Sequence, residues 1–181
     1  MAAQMTPRKP VLPLVAALAL GGLLAACETV PMDGGFGPGP RSGPAPGVFR
    51  ADDFAWSTRS GSASIDGRID YRRGGEIYTC TGSVGLTPDT PYTRARIRTL
   101  YGSTDRAAVP EAIVRARTVA EPSADYRAYV RSETCENGRF SFTGLPDGGW
   151  FIIAPVSAGG DDRVVLMRHV DTRSGRISVT L

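Results

Sequence analysis

Residues 134–153, TCENGRFSFTGLPDGGWFII, constrain this fold most tightly, because two short apolar runs there each follow a chain reversal. Glu136-Asn137-Gly138 supplies the first turn, since asparagine and glycine enter positive φ at little cost. Phe140 and Phe142 then alternate with Arg139, Ser141 and Thr143, the period of a half-buried strand. Gly144-Leu145-Pro146-Asp147-Gly148-Gly149 turns the chain again. The run that follows, Trp150-Phe151-Ile152-Ile153, is apolar on both faces, which suits a central strand covered twice.

The rest of the composition agrees with a strand-rich chain. Glycine (22) and proline (14) are frequent while aromatics make 8% of 181 residues, a balance that favours turns and short strands over long helices. A chain of this length can bury one core. The formal charge of +3 includes Arg8 and Lys9; without them 19 basic side chains face 18 acidic ones, a net of +1. The arginines are spread mostly singly, with no basic run interleaved with aromatics, so nucleic acid is not expected as a partner.

Arg8 and Lys9 precede an apolar run from residue 11 to 26, shorter than the roughly 20 residues of a membrane-crossing helix and weakened by Pro13 and Gly21-Gly22. It reads as a secretory signal peptide, residues 1–26. Its end, Leu24-Ala25-Ala26-Cys27, resembles the lipobox of bacterial lipoproteins, which implies cleavage before Cys27 and lipidation of its thiol. Several acyl chains on one cysteine anchor stably where one does not. Glu28 stands where the family's inner-membrane retention rule has aspartate, so the resemblance implies the outer membrane, periplasmic face. Residues 31–47 hold five prolines and six glycines, a composition that buries too little apolar surface to offset ordering. The segment 27–47 is therefore expected to be a disordered tether, of which residues 31–47 alone reach roughly 50 Å at about 3.1 Å per residue. Residues 48–181 remain for the domain.

Within that domain, residues 49–60, with Phe54 and Trp56, read as a lead-in packed on the core. Residues 62–71 alternate, Ala63, Ile65, Gly67, Ile69 and Tyr71 sharing one side, as a strand does. Brief strands are expected at 77–80 and 83–86, then a loop, Thr87-Pro88-Asp89-Thr90-Pro91, whose prolines cannot donate to a ladder. Residues 92–101 alternate Ala95, Ile97 and Thr99 with Arg94, Arg96 and Arg98, which predicts another strand with a solvated arginine face. Val109, Ala112, Ile113 and Ala116 fall at helical spacing after Ser103, which predicts one short helix in the 105–118 connection. Tyr126, Tyr129 and Val130 lead into the strand carrying Cys135. Residues 164–170 and 176–181 close the chain as paired strands, with Ile177, Val179 and Leu181 facing inward.

The run Gly138-x-Phe140-x-Phe142-x-x-Leu145-Pro146-x-Gly148-x-Trp150-x-Ile152 resembles the signature of carboxypeptidase regulatory-like domains. The resemblance implies an all-β fold, a seven-stranded Greek-key-type, transthyretin-like β-sandwich. The family has tyrosine in place of Trp150, and aspartate where this chain has Glu136 and Asn137. Such domains are accessory folds beside enzymes or in envelope proteins, which implies no catalysis. Transthyretin-like hydrolases need several histidines and a terminal Tyr-Arg-Gly-Ser, whereas this chain has His169 alone and ends Ser178-Val179-Thr180-Leu181.

With Cys27 assigned to lipid, Cys80 and Cys135 form an even pair in an oxidising compartment, and a disulfide is the plain reading against a thiol nucleophile. His169 cannot build a zinc site with oxidised cysteines, and no triad forms without it. Asp161-Asp162 lacks the ligand count for calcium. No phosphate loop or dinucleotide fingerprint is present, so neither metal nor cofactor is expected. The expected function is a non-catalytic binding or envelope-structural module, with an envelope protein or glycan as partner. Two alternatives stand beside it. A carbohydrate-recognition module would need Trp56, Tyr71, Tyr92 or Tyr101 as an exposed platform, and an enzyme would need a pocket joining His169 to acids.

Overall fold

The computed structural model describes residues 47–119 and 123–181; the signal segment, Cys27 and nearly all of the tether lie outside them. A 3-10 helix, Ala51–Thr58, buries Phe54 completely and leads into the domain as expected. The strands then follow in chain order as β1 (Ala63–Arg68), β2 (Tyr71–Arg73), β3 (Glu76–Cys80), β4 (Ser83–Pro88), β5 (Arg106–Pro110) and β6 (Arg131–Thr134). They continue as β7 (Arg139–Leu145), β8 (Gly148–Gly159), β9 (Asp162–Thr172) and β10 (Arg176–Thr180). Helix α1 (Pro91–Tyr101) follows β4, α2 (Glu111–Ala116) follows β5, and a second 3-10 helix, Asp125–Tyr129, precedes β6.

Two sheets enclose the main core. β10, β1 and β7 form the smaller, with β1 parallel to β10 and antiparallel to β7. The larger is built around β8, which pairs with β9 along one edge and with β4 and then β3 along the other. Ile65, Phe142 and Leu145 from the small sheet meet Leu86, Trp150, Ile152 and Leu166 from the large one. Alternation sends Phe151, Val165 and Met167 to the far face of the large sheet, where Ile97 and Tyr101 of α1 cover them. The run at 150–153 is thus covered twice, as its two apolar faces require.

The turn at Asn137-Gly138 has φ of 51° and 71°, the left-handed pair a two-residue hairpin demands, and it brings Glu136 opposite Arg139. Gly67 sits on the inward face of β1 because the Phe140 ring fills its side-chain space: a Cβ there would lie 1.9 Å from Phe140 Cζ.

Four expectations change. The mainly β character with two sheets is as anticipated, but there are ten strands among the described residues rather than seven. Residues 91–101 form a helix, not a strand. Thr90 caps its first turn reciprocally with Thr93, Pro91 stands at its first position, and Gly102 ends it in the left-handed conformation. Thr93, Ile97 and Tyr101, spaced by four, are buried, as is Tyr92 beside Thr93. The short helix expected between 105 and 118 exists as α2, but Val109 precedes it in β5, paired with Val165. Finally, β9 and β10 do not pair with each other. β9 takes β8 and β5 as neighbours, and residues 173–175 carry the chain to the other sheet, where β10 joins β1 in parallel.

Candidate functional site

The far face of the large sheet is only partly covered by α1. Between α1 and the 125–130 segment runs an open groove of about 470 Å³. Gly85 of β4 and Ile153 and Pro155 of β8 make its floor. Arg96, Ile97, Leu100 and Tyr101 of α1 form one wall, and Tyr126, Arg127 and Val130 the other.

Two side chains in this groove carry polar groups that the fold leaves unused. Thr87 is 4% exposed and Tyr101 8%, and neither hydroxyl has a hydrogen-bond partner among the described residues. Neither oxygen is sealed from solvent, and both residues line the groove. Such hydroxyls are open to water and can exchange it for a ligand atom. Burial pushes the Tyr101 hydroxyl up to about 12, with Tyr126 adding to the rise and Arg96 opposing it, so at neutral pH it is an O–H donor. The Arg96 guanidinium lies 5.0 Å from the Tyr126 ring centre. Neither Arg96 nor Arg127 has a carboxylate partner among the described residues.

At the opposite end of α1, Asp89 is held at the loop between β4 and the helix. Its nearly buried carboxylate accepts from Arg94 Nε at 3.0 Å and lies 2.8 Å from His169 Nε2. His169 packs edge-on to Phe151, its ring centre 5.0 Å away. The structure therefore joins His169 to an acid, but among the described residues no hydroxyl or thiol hydrogen-bonds to it. What the geometry provides is a tie between β9 and the start of α1.

The expected disulfide is present, linking Cys80 at the end of β3 to Cys135 just beyond β6 across 55 residues. Asp162 of the Asp161-Asp162 pair is taken by Tyr78 and Arg73, and the Tyr78 hydrogen bond, with Arg73 beside it, holds that carboxylate below its ordinary range. Among the described residues no three His, Cys, Asp or Glu side chains gather around a common point for a metal. The four aromatics named for a carbohydrate platform do not form one. Tyr92 is 1% exposed, Tyr101 is buried beside Ile97, Trp56 packs edge-on to Trp150 at 5.0 Å, and Tyr71 edge-on to Tyr78 at 5.2 Å. Cys27 lies outside the described residues.

Thr87, Arg96 and Tyr126 were not legible as one site. A strand over 92–101 would place Arg94, Arg96 and Arg98 on one solvated face. In a helix, Arg94 and Arg98 share a side while Arg96 turns toward the groove. Thr90, Pro91 and Gly102, which bracket the helix with start and stop residues, are the signal that would have found it.

No protein-family model matches the chain, and no curated protein matches it. A solved structure from Pseudomonas aeruginosa, whose name proposes it as a carbohydrate binding protein, aligns with 74% of this chain and 97% of its own. The TM-score is 0.45 and the identity 21%, a likeness too slight to bear on fold or function.

Among the described residues no helix is long and apolar enough to cross a membrane.

Proposed function

We propose that this protein is a lipid-anchored, non-catalytic binding module at the periplasmic face of the outer membrane, which offers the groove beside α1 to a small ligand. The observation that carries the binding reading is an open, mainly apolar groove whose lining includes Thr87 and Tyr101, two side chains whose hydroxyls have no hydrogen-bond partner among the described residues. Concave, mainly apolar clefts with a few convergent polar groups are where small ligands bind. The anchoring half rests on the sequence: Leu24-Ala25-Ala26-Cys27 supplies the acceptor thiol and the 31–47 segment the reach. The motif at 138–152 favours a carboxypeptidase regulatory-like domain elaborated with α1 and additional strands.

Gly85 gives a clean test, because a Cβ there meets Val130 at 3.8 Å and the Ile153 carbonyl at 3.9 Å, ordinary contacts. Gly85→Val should fold normally and fill the floor of the groove. In a thermal-shift screen of small fragments, some compounds should raise the Tm of the native protein and leave Gly85→Val unmoved. Hits that shift both proteins equally, or no hits, would remove the binding reading. For the anchor, Cys27→Ser should lose acyl labelling and leave the outer-membrane fraction; a variant still membrane-bound and processed would sink that assignment.

A further inference from the structure

We infer that the ligand class of this groove is an organic carboxylate with an apolar body; this rests on the binding reading above and narrows it. Charge is the first argument. Arg96 and Arg127 line the groove, and among the described residues no carboxylate does. The contrast lies within the same helix, where Arg94, one half-turn earlier, is satisfied by Asp89. A planar guanidinium left without an acid matches a carboxylate, and in a partly enclosed groove the attraction is stronger than in open water.

The second argument is the lining around those cations. Ile97, Leu100, Val130 and Ile153 present aliphatic surface, which takes an apolar body rather than a fully hydrated ion. The third is the hydroxyl pair. Tyr101, neutral at physiological pH, and Thr87 are donors on the same groove, and a carboxylate oxygen accepts from such donors. A neutral sugar would instead want an open aromatic face, but the Tyr126 ring has Arg96 over it and Tyr92 tilted against it at 5.7 Å.

The test compares three isosteres, 4-phenylbutyrate, 4-phenylbutanamide and 4-phenylbutylamine, by titration calorimetry against the mature chain in zwitterionic lipid nanodiscs, with empty nanodiscs as reference. The carboxylate should bind at least about tenfold more tightly than the amide, with the amine weakest. Added salt should weaken it, Arg96→Gln should erase the preference while Arg96→Lys keeps part of it, and Gly85→Val should remove binding of all three. An amide or amine that binds as well as the carboxylate, or no saturable carboxylate binding below about 10 mM, overturns the assignment. If the fragment screen returns neutral compounds that depend on Gly85, the binding reading stands and the carboxylate reading falls. If it returns none that depend on Gly85, both fall.

Discussion

Trp150 is fully buried yet carries an N–H, and the fold satisfies it with one hydroxyl: Nε1 donates to Thr172 Oγ1 at 3.1 Å, and Thr172 donates in turn to the Pro146 carbonyl at 2.8 Å. Thr172→Val keeps the shape and removes the acceptor, so it should cost about 1–3 kcal/mol in urea unfolding; a cost near zero would mean the indole finds another partner. Tyr101 predicts a pH effect. Its folded value near 12 exceeds its ordinary 10.0, so the folded chain keeps a proton that the unfolded chain releases. That contribution is complete below pH 10 and disappears as pH rises toward 12, a loss of about 2–3 kcal/mol. Tyr101→Phe has no proton to lose, so its Tm should fall less steeply than that of the native protein across this window. Equal slopes would overturn the account.

Among the elements, α1 shows how two periods can share one sequence. Arg94, Arg96 and Arg98 alternate with Ala95, Ile97 and Thr99 as in a strand, while Thr93, Ile97 and Tyr101 recur at helical spacing and are buried, with Tyr92 beside them. The caps decide between them, because they satisfy the backbone groups a helix end exposes. Thr90→Ala breaks the reciprocal cap with Thr93 and should destabilise by about 1 kcal/mol, read from the denaturation midpoint. An unchanged midpoint would show that tertiary contacts alone hold the helix start. The Cys80–Cys135 link ties β3 to the connection between β6 and β7. Opening a loop of 55 residues by the Cys80→Ser, Cys135→Ser double change should cost about 4 kcal/mol on the chain-entropy account. Identical melting of the reduced and oxidised protein would contradict it.

At the scale of the whole molecule, the C-terminal strand holds the small sheet together. Ile177 and Val179 of β10 pair with Ile65 and Gly67 of β1, Leu181 donates to the Arg68 carbonyl, and its own carbonyl accepts from Asp70. Removing residues 177–181 would leave β1 and β7 as an isolated pair and uncover the Val179 site in the core. The Tm should fall on the order of 10 °C or more, or cooperative unfolding should vanish. A truncated chain that melts like the native one would show that β10 contributes little.

Local chemistry made part of this protein legible in its sequence. The Asn137-Gly138 turn, the alternating Phe140 and Phe142, the doubly apolar run at 150–153 and the lead-in that buries Phe54 follow from φ preferences and hydrophobic period, which act over a few residues. The partners of those elements do not follow from such rules. That β10 crosses to lie parallel to β1, that β9 takes β5 rather than β10, and that Asp89 meets His169 across 80 residues are decided by which apolar faces can be buried at once. The groove belongs to this second kind. Thr87, Arg96, Tyr101 and Tyr126 have no shared period or motif, and they meet because α1 leaves part of the large sheet uncovered while the 125–130 segment walls the far side.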